Sequence, residues 1–108
     1  DQIPTVANEF QALVCWMDHK ELVPGNKYFL QHRSKLIRTI VKEIDYQLDV
    51  NSLEKTPTDS VKLNEVVKVT LKTASPLVFD SFEKNKGTGS AILIDETSNS
   101  TVGAVMIL

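Results

Sequence analysis

The chain has 108 residues, 42% of them hydrophobic and 24% charged, with a formal charge of −2. That suffices for one domain and excludes a second, and a domain of this length buries about 65% of the surface of its unfolded chain, so a core forms without metal or disulfide. The balance of 12 Lys and Arg against 14 Asp and Glu leaves no excess positive charge for a phosphodiester backbone, which disfavours nucleic acid as a partner.

The single cysteine, Cys15, has no partner for an internal disulfide, and its setting between Val14 and Trp16 reads as a buried, inert thiol. No stretch approaches the roughly 18 apolar residues of a membrane span, and no secretory signal opens the chain. A cytoplasmic setting without a membrane partner is expected. The opening DQIPTV, without Met, and the close at Leu108 after an apolar run read as one domain, residues 1–108, belonging to a longer polypeptide.

In chain order, Glu9 to Met17 places Phe10, Ala12, Val14 and Trp16 on one face and Gln11, Leu13, Cys15 and Met17 on the other. This predicts a strand covered on both sides, with Trp16 in the core. Pro24-Gly25-Asn26 marks a turn before a short strand, Tyr28 to His32, which Arg33-Ser34 joins to the next segment. Over Lys35 to Leu48 two signals conflict. Leu36, Ile37, Ile40, Val41, Ile44 and Leu48 fall at helical spacing, whereas the β-branched and aromatic content of Ile37, Thr39, Ile40, Val41, Ile44 and Tyr46 favours a strand. Asn51-Ser52-Leu53-Glu54 has the spacing of a capping box, predicting one helical turn before Thr56-Pro57-Thr58.

Val66 to Thr73 is a half-buried strand, Val67, Val69 and Leu71 alternating with Lys68, Thr70 and Lys72. A long loop, Ser75 to Thr88, carries Leu77, Val78, Phe79 and Phe82, which need a covering surface. Ser90 to Asp95 and Thr101 to Leu108 read as a hairpin around the turn formers Glu96-Thr97-Ser98-Asn99-Ser100. Short strands with regular turn signals and no long helix indicate an antiparallel barrel or sandwich.

Motifs for chemistry are sparse. Glycines stand only at 25, 87, 89 and 103, so no P-loop or dinucleotide fingerprint is present. Asn85-Lys86-Gly87-Thr88 has Thr88 where a guanine-reading carboxylate would stand, and reads as a polar turn. His19 and His32 have no Cys or His at ligand spacing and are expected at the surface. Arg33, Lys35, Arg38 and Lys42 form a modest basic cluster, read either as a solvated face balanced by Glu43 and Asp45 or as a docking surface for an acidic partner.

Taken together, Val23-Pro24-Gly25, Ile44-Asp45-Tyr46 running into Asp49-Val50-Asn51, Leu63-Asn64-Glu65, Pro76-Leu77 with Phe79-Asp80, Thr88-Gly89-Ser90 with Ile92-Leu93-Ile94-Asp95, and Thr101-Val102-Gly103-Ala104 carry a resemblance. From about Asn8 to Ile107 the chain resembles the last β-barrel domain of the large, GTP-binding subunit of bacterial sulfate adenylyltransferase, and more distantly the third domain of elongation factor Tu. The resemblance implies an all-β fold, a six-stranded antiparallel closed barrel with Lys35 to Leu48 as a long strand.

It also implies a place in an enzyme that joins ATP and sulfate into adenosine 5'-phosphosulfate and pyrophosphate, driven by GTP hydrolysis. Sulfate is a poor nucleophile and its mixed anhydride is high in energy, so the step runs forward only when coupled, through domains whose contacts change with nucleotide state. On this resemblance GTP and Mg belong to a GTPase domain outside these residues. The partners are that GTPase domain and the small catalytic subunit, and no catalytic, cofactor-binding or metal-binding residue is expected in this chain. Phe79, Asp80 and Phe82 are the candidate interface residues; in the alternative, the two aromatics plug one end of the barrel. The competing function is a tRNA- or protein-binding barrel of a translation-type GTPase.

Overall fold

Alternation of apolar and polar residues becomes strand throughout. A computed structural model describes residues 5–49, 51–58, 60–79 and 89–108, and every regular element among them is a β-strand. These are β1 (Thr5–Trp16), β2 (Lys27–His32), β3 (Lys35–Leu48), β4 (Lys55–Thr56), β5 (Val66–Phe79), β6 (Ser90–Ile94) and β7 (Thr101–Ile107). All pairings are antiparallel, in the order β2-β6-β7-β1-β5-β3, and β3 pairs back onto β2 to close six strands into a barrel. The two residues of β4 add to the far end of β3, opposite Gln47 and Leu48.

Closure depends on β3 serving two neighbours. Its first residues, Lys35 to Ile40, pair with β2, while Thr39 to Leu48 pair with β5. Strands in a small barrel tilt against its axis, so a long strand leaves one neighbour and gains another along its length. Register shifts between Val41 and Glu43 and between Ile44 and Tyr46 bend the strand to follow that curvature. They also explain the helical spacing of its apolar residues: Ile37, Thr39 and Val41 are buried, and after the first shift Ile44 packs against the core three residues later instead of two.

The interior is filled by Phe10, Ala12, Val14 and Trp16 from β1, Val67, Val69 and Leu71 from β5, Leu30 and Tyr28 from β2, and Leu93, Val105 and Ile107 from the last hairpin. Trp16 is fully buried; its ring meets Tyr28 edge-on at 5.6 Å and its indole N–H donates to the Lys20 carbonyl at 2.8 Å. Leu22 and Val61 cap this end through a reciprocal pair of backbone hydrogen bonds of 3.0 and 2.9 Å. Asn64, at φ 70°, turns the chain so that its N–H donates to the Trp16 carbonyl before β5 begins. In the Pro24-Gly25 turn, Gly25 adopts φ 94°, and its N–H donates to the Val41 carbonyl at 2.7 Å.

Four expectations are corrected. Among the described residues no layer covers the outer face of β1: Gln11 and Met17 are exposed, and Leu13 and Cys15 are half-buried. The predicted helical turn at Asn51-Ser52-Leu53-Glu54 is instead the loop between β3 and β4. There Asp49 Oδ1 accepts the N–H groups of Asn51 and Ser52, and Leu53 stands at φ 62°. The spacing had suggested a cap, but Asp49 forms the turn that returns the chain antiparallel. The expected loop from Ser75 starts later, because β5 continues to Phe79 and its last residues pair with Thr5, Val6 and Ala7. Pro76 is accommodated because residues 73–76 bulge out opposite Asn8, where no ladder N–H is required. The fourth concerns histidine: His19 is exposed, but His32 is buried at the end of β2.

The last hairpin turns on Asp95. Its carboxylate accepts from the Thr97 N–H at 3.3 Å and from the Ser98 hydroxyl at 2.9 Å, and these bonds, the Thr97 one foremost, hold its pKa below the ordinary 3.8. Because the folded pKa lies below the unfolded one, this contribution is present at neutral pH and fades as pH falls from the ordinary value through the depressed one. Urea unfolding of Asp95→Asn should therefore show lower stability than the parent at pH 7 and a difference that shrinks in acid.

Gly103, in β7 opposite Trp16, leaves room for the core of β1: a Cβ there would lie 3.2 Å from Val14 Cγ1 and 3.5 Å from the Trp16 ring. Gly103→Ala overpacks this contact and is expected to lower unfolding free energy by about 1–3 kcal/mol, measured by urea denaturation followed by Trp16 fluorescence.

Candidate functional site

Of the candidate interface residues, Phe79 ends β5 with its backbone opposite Thr5. Its side chain, together with Asp80, Phe82 and the 85–88 segment, lies outside the described residues.

The basic residues form a defined surface, though not the cluster read from adjacency in sequence. Ile40 of β3 stands opposite Lys27 of β2 on one side and Lys72 of β5 on the other, so Lys27, Ile40 and Lys72 make one row across three strands. All three face outward, since their strand neighbours Tyr28, Thr39, Val41, Leu71 and Thr73 are buried. Arg38 lies two residues along the same face of β3. Its guanidinium sits 5.7 Å from the Phe29 ring centroid, and its Nε is 3.9 Å from Glu96 in the β6–β7 turn. With Thr39, Thr73 and Ala74 these residues line an open groove of about 450 Å³. The hydroxyls of the two buried threonines are committed to the backbone, Thr39 donating to the Lys72 carbonyl at 3.0 Å and Thr73 to the Ser75 carbonyl at 2.7 Å.

Lys42 is drawn away from the groove. Its ammonium reaches across β5 to Glu9 of β1 at 3.1 Å. A second bridge over the same strand runs from the Gln11 amide to Asp45 at 3.3 Å, and Thr70, outward-facing between Gln11 and Glu43, is buried beneath that traffic. The counter-ions of the basic residues are therefore Glu9 and Glu96, not Glu43 and Asp45. Arg33 and Lys35 remain exposed at the β2–β3 turn. Lys72 was visible as one of the polar positions alternating along β5, but its placement beside Lys27 depends on register across three strands, which no local pattern records.

At the end of the barrel closed by Trp16, burial pushes the Tyr28 phenol above its ordinary 10.0, while a hydrogen bond from the Asn26 amide at 3.2 Å opposes the shift. This is a buried, satisfied tyrosine. Among the described residues no three of His, Cys, Asp and Glu gather into a metal-binding group, and no helix is long and apolar enough to cross a membrane.

The turns at Pro24-Gly25 and Leu63-Asn64-Glu65 and the Val102-Gly103-Ala104 stretch of β7 belong to a sequence that matches a known family, described as GTP-eEF1A C-terminal domain-like, over residues 9–108. The chain belongs to that family. Among curated members of the wider set of relatives, the bifunctional enzyme CysN/CysC of Mycobacterium tuberculosis is 44% identical over 107 residues, covering 97% of this chain and 17% of that protein. Sulfate adenylyltransferase subunit 1 of Colwellia psychrerythraea is 41% identical over 105 residues, covering 97% of this chain and 22% of that protein. The chain thus spans less than a quarter of the length of these relatives. Among solved structures, Sup35 complexed with GDP superposes with a TM-score of 0.86 over 97% of this chain and 26% of that one, at 15% identity, a likeness of fold alone. This eEF1A C-terminal-like barrel is the fold that the resemblance implied, and Lys35 to Leu48 is strand in it.

The ion pair that spans β5 is half-exposed at both ends, with side-chain exposures of 52% for Lys42 and 44% for Glu9. In a double-mutant cycle with Lys42→Ala and Glu9→Ala, the coupling energy should be about 0.2–1 kcal/mol and should fall in 1 M salt, as read from urea unfolding.

Proposed function

We propose that this chain is the C-terminal barrel of the GTP-binding subunit of a sulfate adenylyltransferase, part of a longer polypeptide, and that it works through contacts with its own GTPase domain and with the small catalytic subunit. The observation that carries this reading is identity of 41% over 97% of the chain to a protein named sulfate adenylyltransferase subunit 1. On this reading adenylyl transfer from ATP to sulfate takes place on the small subunit, GTP and Mg are held by the GTPase domain, and the complex works in the cytoplasm.

The mechanical part of the reading rests on closure. Six strands hydrogen-bonded in a ring leave only short, local edges, so the barrel transmits force as one body instead of reshaping itself. Coupling of GTP hydrolysis to sulfate activation needs a part of this kind: a domain that keeps its own structure while its contacts change with nucleotide state. The tRNA-binding alternative is disfavoured by the net charge of −2.

A chimaera tests the proposal. This chain replaces the corresponding barrel of the Colwellia psychrerythraea subunit, which is co-expressed with its small subunit, and adenosine 5'-phosphosulfate formation is followed with and without GTP. GTP-stimulated product formation within about tenfold of the parent complex is expected, a loss of no more than ~1.4 kcal/mol in coupling. A chimaera that folds and hydrolyses GTP, yet shows no stimulation of product formation, would overturn the reading.

A further inference from the structure

We infer that the groove between β2, β3 and β5 is a docking site for an acidic, extended segment of a partner polypeptide, held by Lys27, Arg38 and Lys72 over the side chain of Ile40. This inference does not depend on the enzyme to which the barrel belongs. It starts from an imbalance of local charge. Three cations converge on one groove, and among the described residues only Arg38 has an ion-pair partner there, a single contact of 3.9 Å to Glu96. Lys42, the cation next in line on β3, is by contrast closely paired to Glu9.

Three features select the occupant. First, the concentration of positive charge is local: the whole chain carries −2, so a long polyanion such as RNA would be repelled over most of the surface while a short acidic segment would meet only the groove. Second, the hydroxyls of Thr39 and Thr73 are buried and donate to backbone carbonyls, so among the described residues they give the groove no pre-aimed cradle of donors for a single phosphate. Its donors are the long side chains of the rim, which suit carboxylates spread along a chain. Third, the row has an apolar centre. Lys27 and Lys72 are two strand spacings apart, about 10 Å, with half-buried Ile40 between them, so an apolar residue flanked by acids matches it in order and in reach. Glu96 already sets one carboxylate against Arg38 and serves as an internal competitor for the incoming acid.

The test uses the 108-residue chain and a fluorescein-labelled peptide rich in Asp and Glu with one central Leu, followed by anisotropy at low salt. A peptide with Gln and Asn in place of the acids is the control, and inorganic phosphate and tRNA serve as competitors. Binding of the acidic peptide alone is expected. Lys72→Glu should weaken it by about tenfold, whereas Lys62→Glu, the same charge change at an exposed site on the loop before β5, should alter it by no more than about twofold. Glu96→Gln, which frees Arg38, should tighten binding by about twofold. All three positions are on the surface, and thermal unfolding of each variant checks that the fold is intact. Equal losses in Lys72→Glu and Lys62→Glu, binding of the uncharged peptide as tightly as the acidic one, weaker binding by Glu96→Gln, or displacement by phosphate or tRNA at lower concentration than by unlabelled acidic peptide would each overturn the assignment.

Discussion

The pairing of β3 with two different strands is the constraint on which this molecule rests. Around Thr39 and Ile40 the strand is bonded to β2 on one side and β5 on the other, and without that overlap the six strands would form an open, curled sheet with β2 and β3 as free edges. The same overlap places Thr39 inside, against the end of the core, and Ile40 outside, at the centre of the cation row. Closure of the barrel and shape of the groove are therefore one geometric fact seen from its two faces. The bulges that follow in β3 are part of it, since a straight strand of 14 residues could not stay in register with β5 while tilting away from β2.

Where alternation was unbroken, the sequence was readable without the structure. Val67, Val69 and Leu71 against Lys68, Thr70 and Lys72 specify both the strand and its inner face, and the turn formers 96–100 specify a hairpin. Where the structure departs from regular period, local reading failed in a consistent way. A bulge converts spacing of two into spacing of three, which is why β3 imitates a helix, and the wide bulge at residues 73–76 made the end of β5 look like loop because it contains Pro76. The capping-box spacing at 51–54 was genuine as a pattern, but Asp49, two positions upstream, organises the turn.

The candidate surface was legible only in part. Arg38 was singled out from sequence neighbours, but its true companions Lys27 and Lys72 lie 11 residues before and 34 after it. Cross-strand register, a non-local property, brought them together. His32 shows the same limit from the other direction: a polar residue near a strand end reads as surface, yet the barrel wall buries it because β2 is flanked by strands on both sides. What family resemblance added was the arrangement of the strands as a whole, including the ring closure that no single segment encodes.

The strand order has a consequence for the making of the protein. Of the barrel's strands β1 is synthesised first, yet it lies between β5 and β7, and β6 is bonded on one side to β7. Until residues 101–107 have emerged from the ribosome, one side of β1 and one side of β6 have no partner, and these are exposed strand edges of the kind that recruit other chains. Closure is thus deferred to the last strand of the barrel, and a growing barrel of this topology remains open to mispairing until that strand emerges. The segment Thr101-Val102-Gly103-Ala104, small enough at Gly103 to slide over Val14 and Trp16, is the piece that ends that interval.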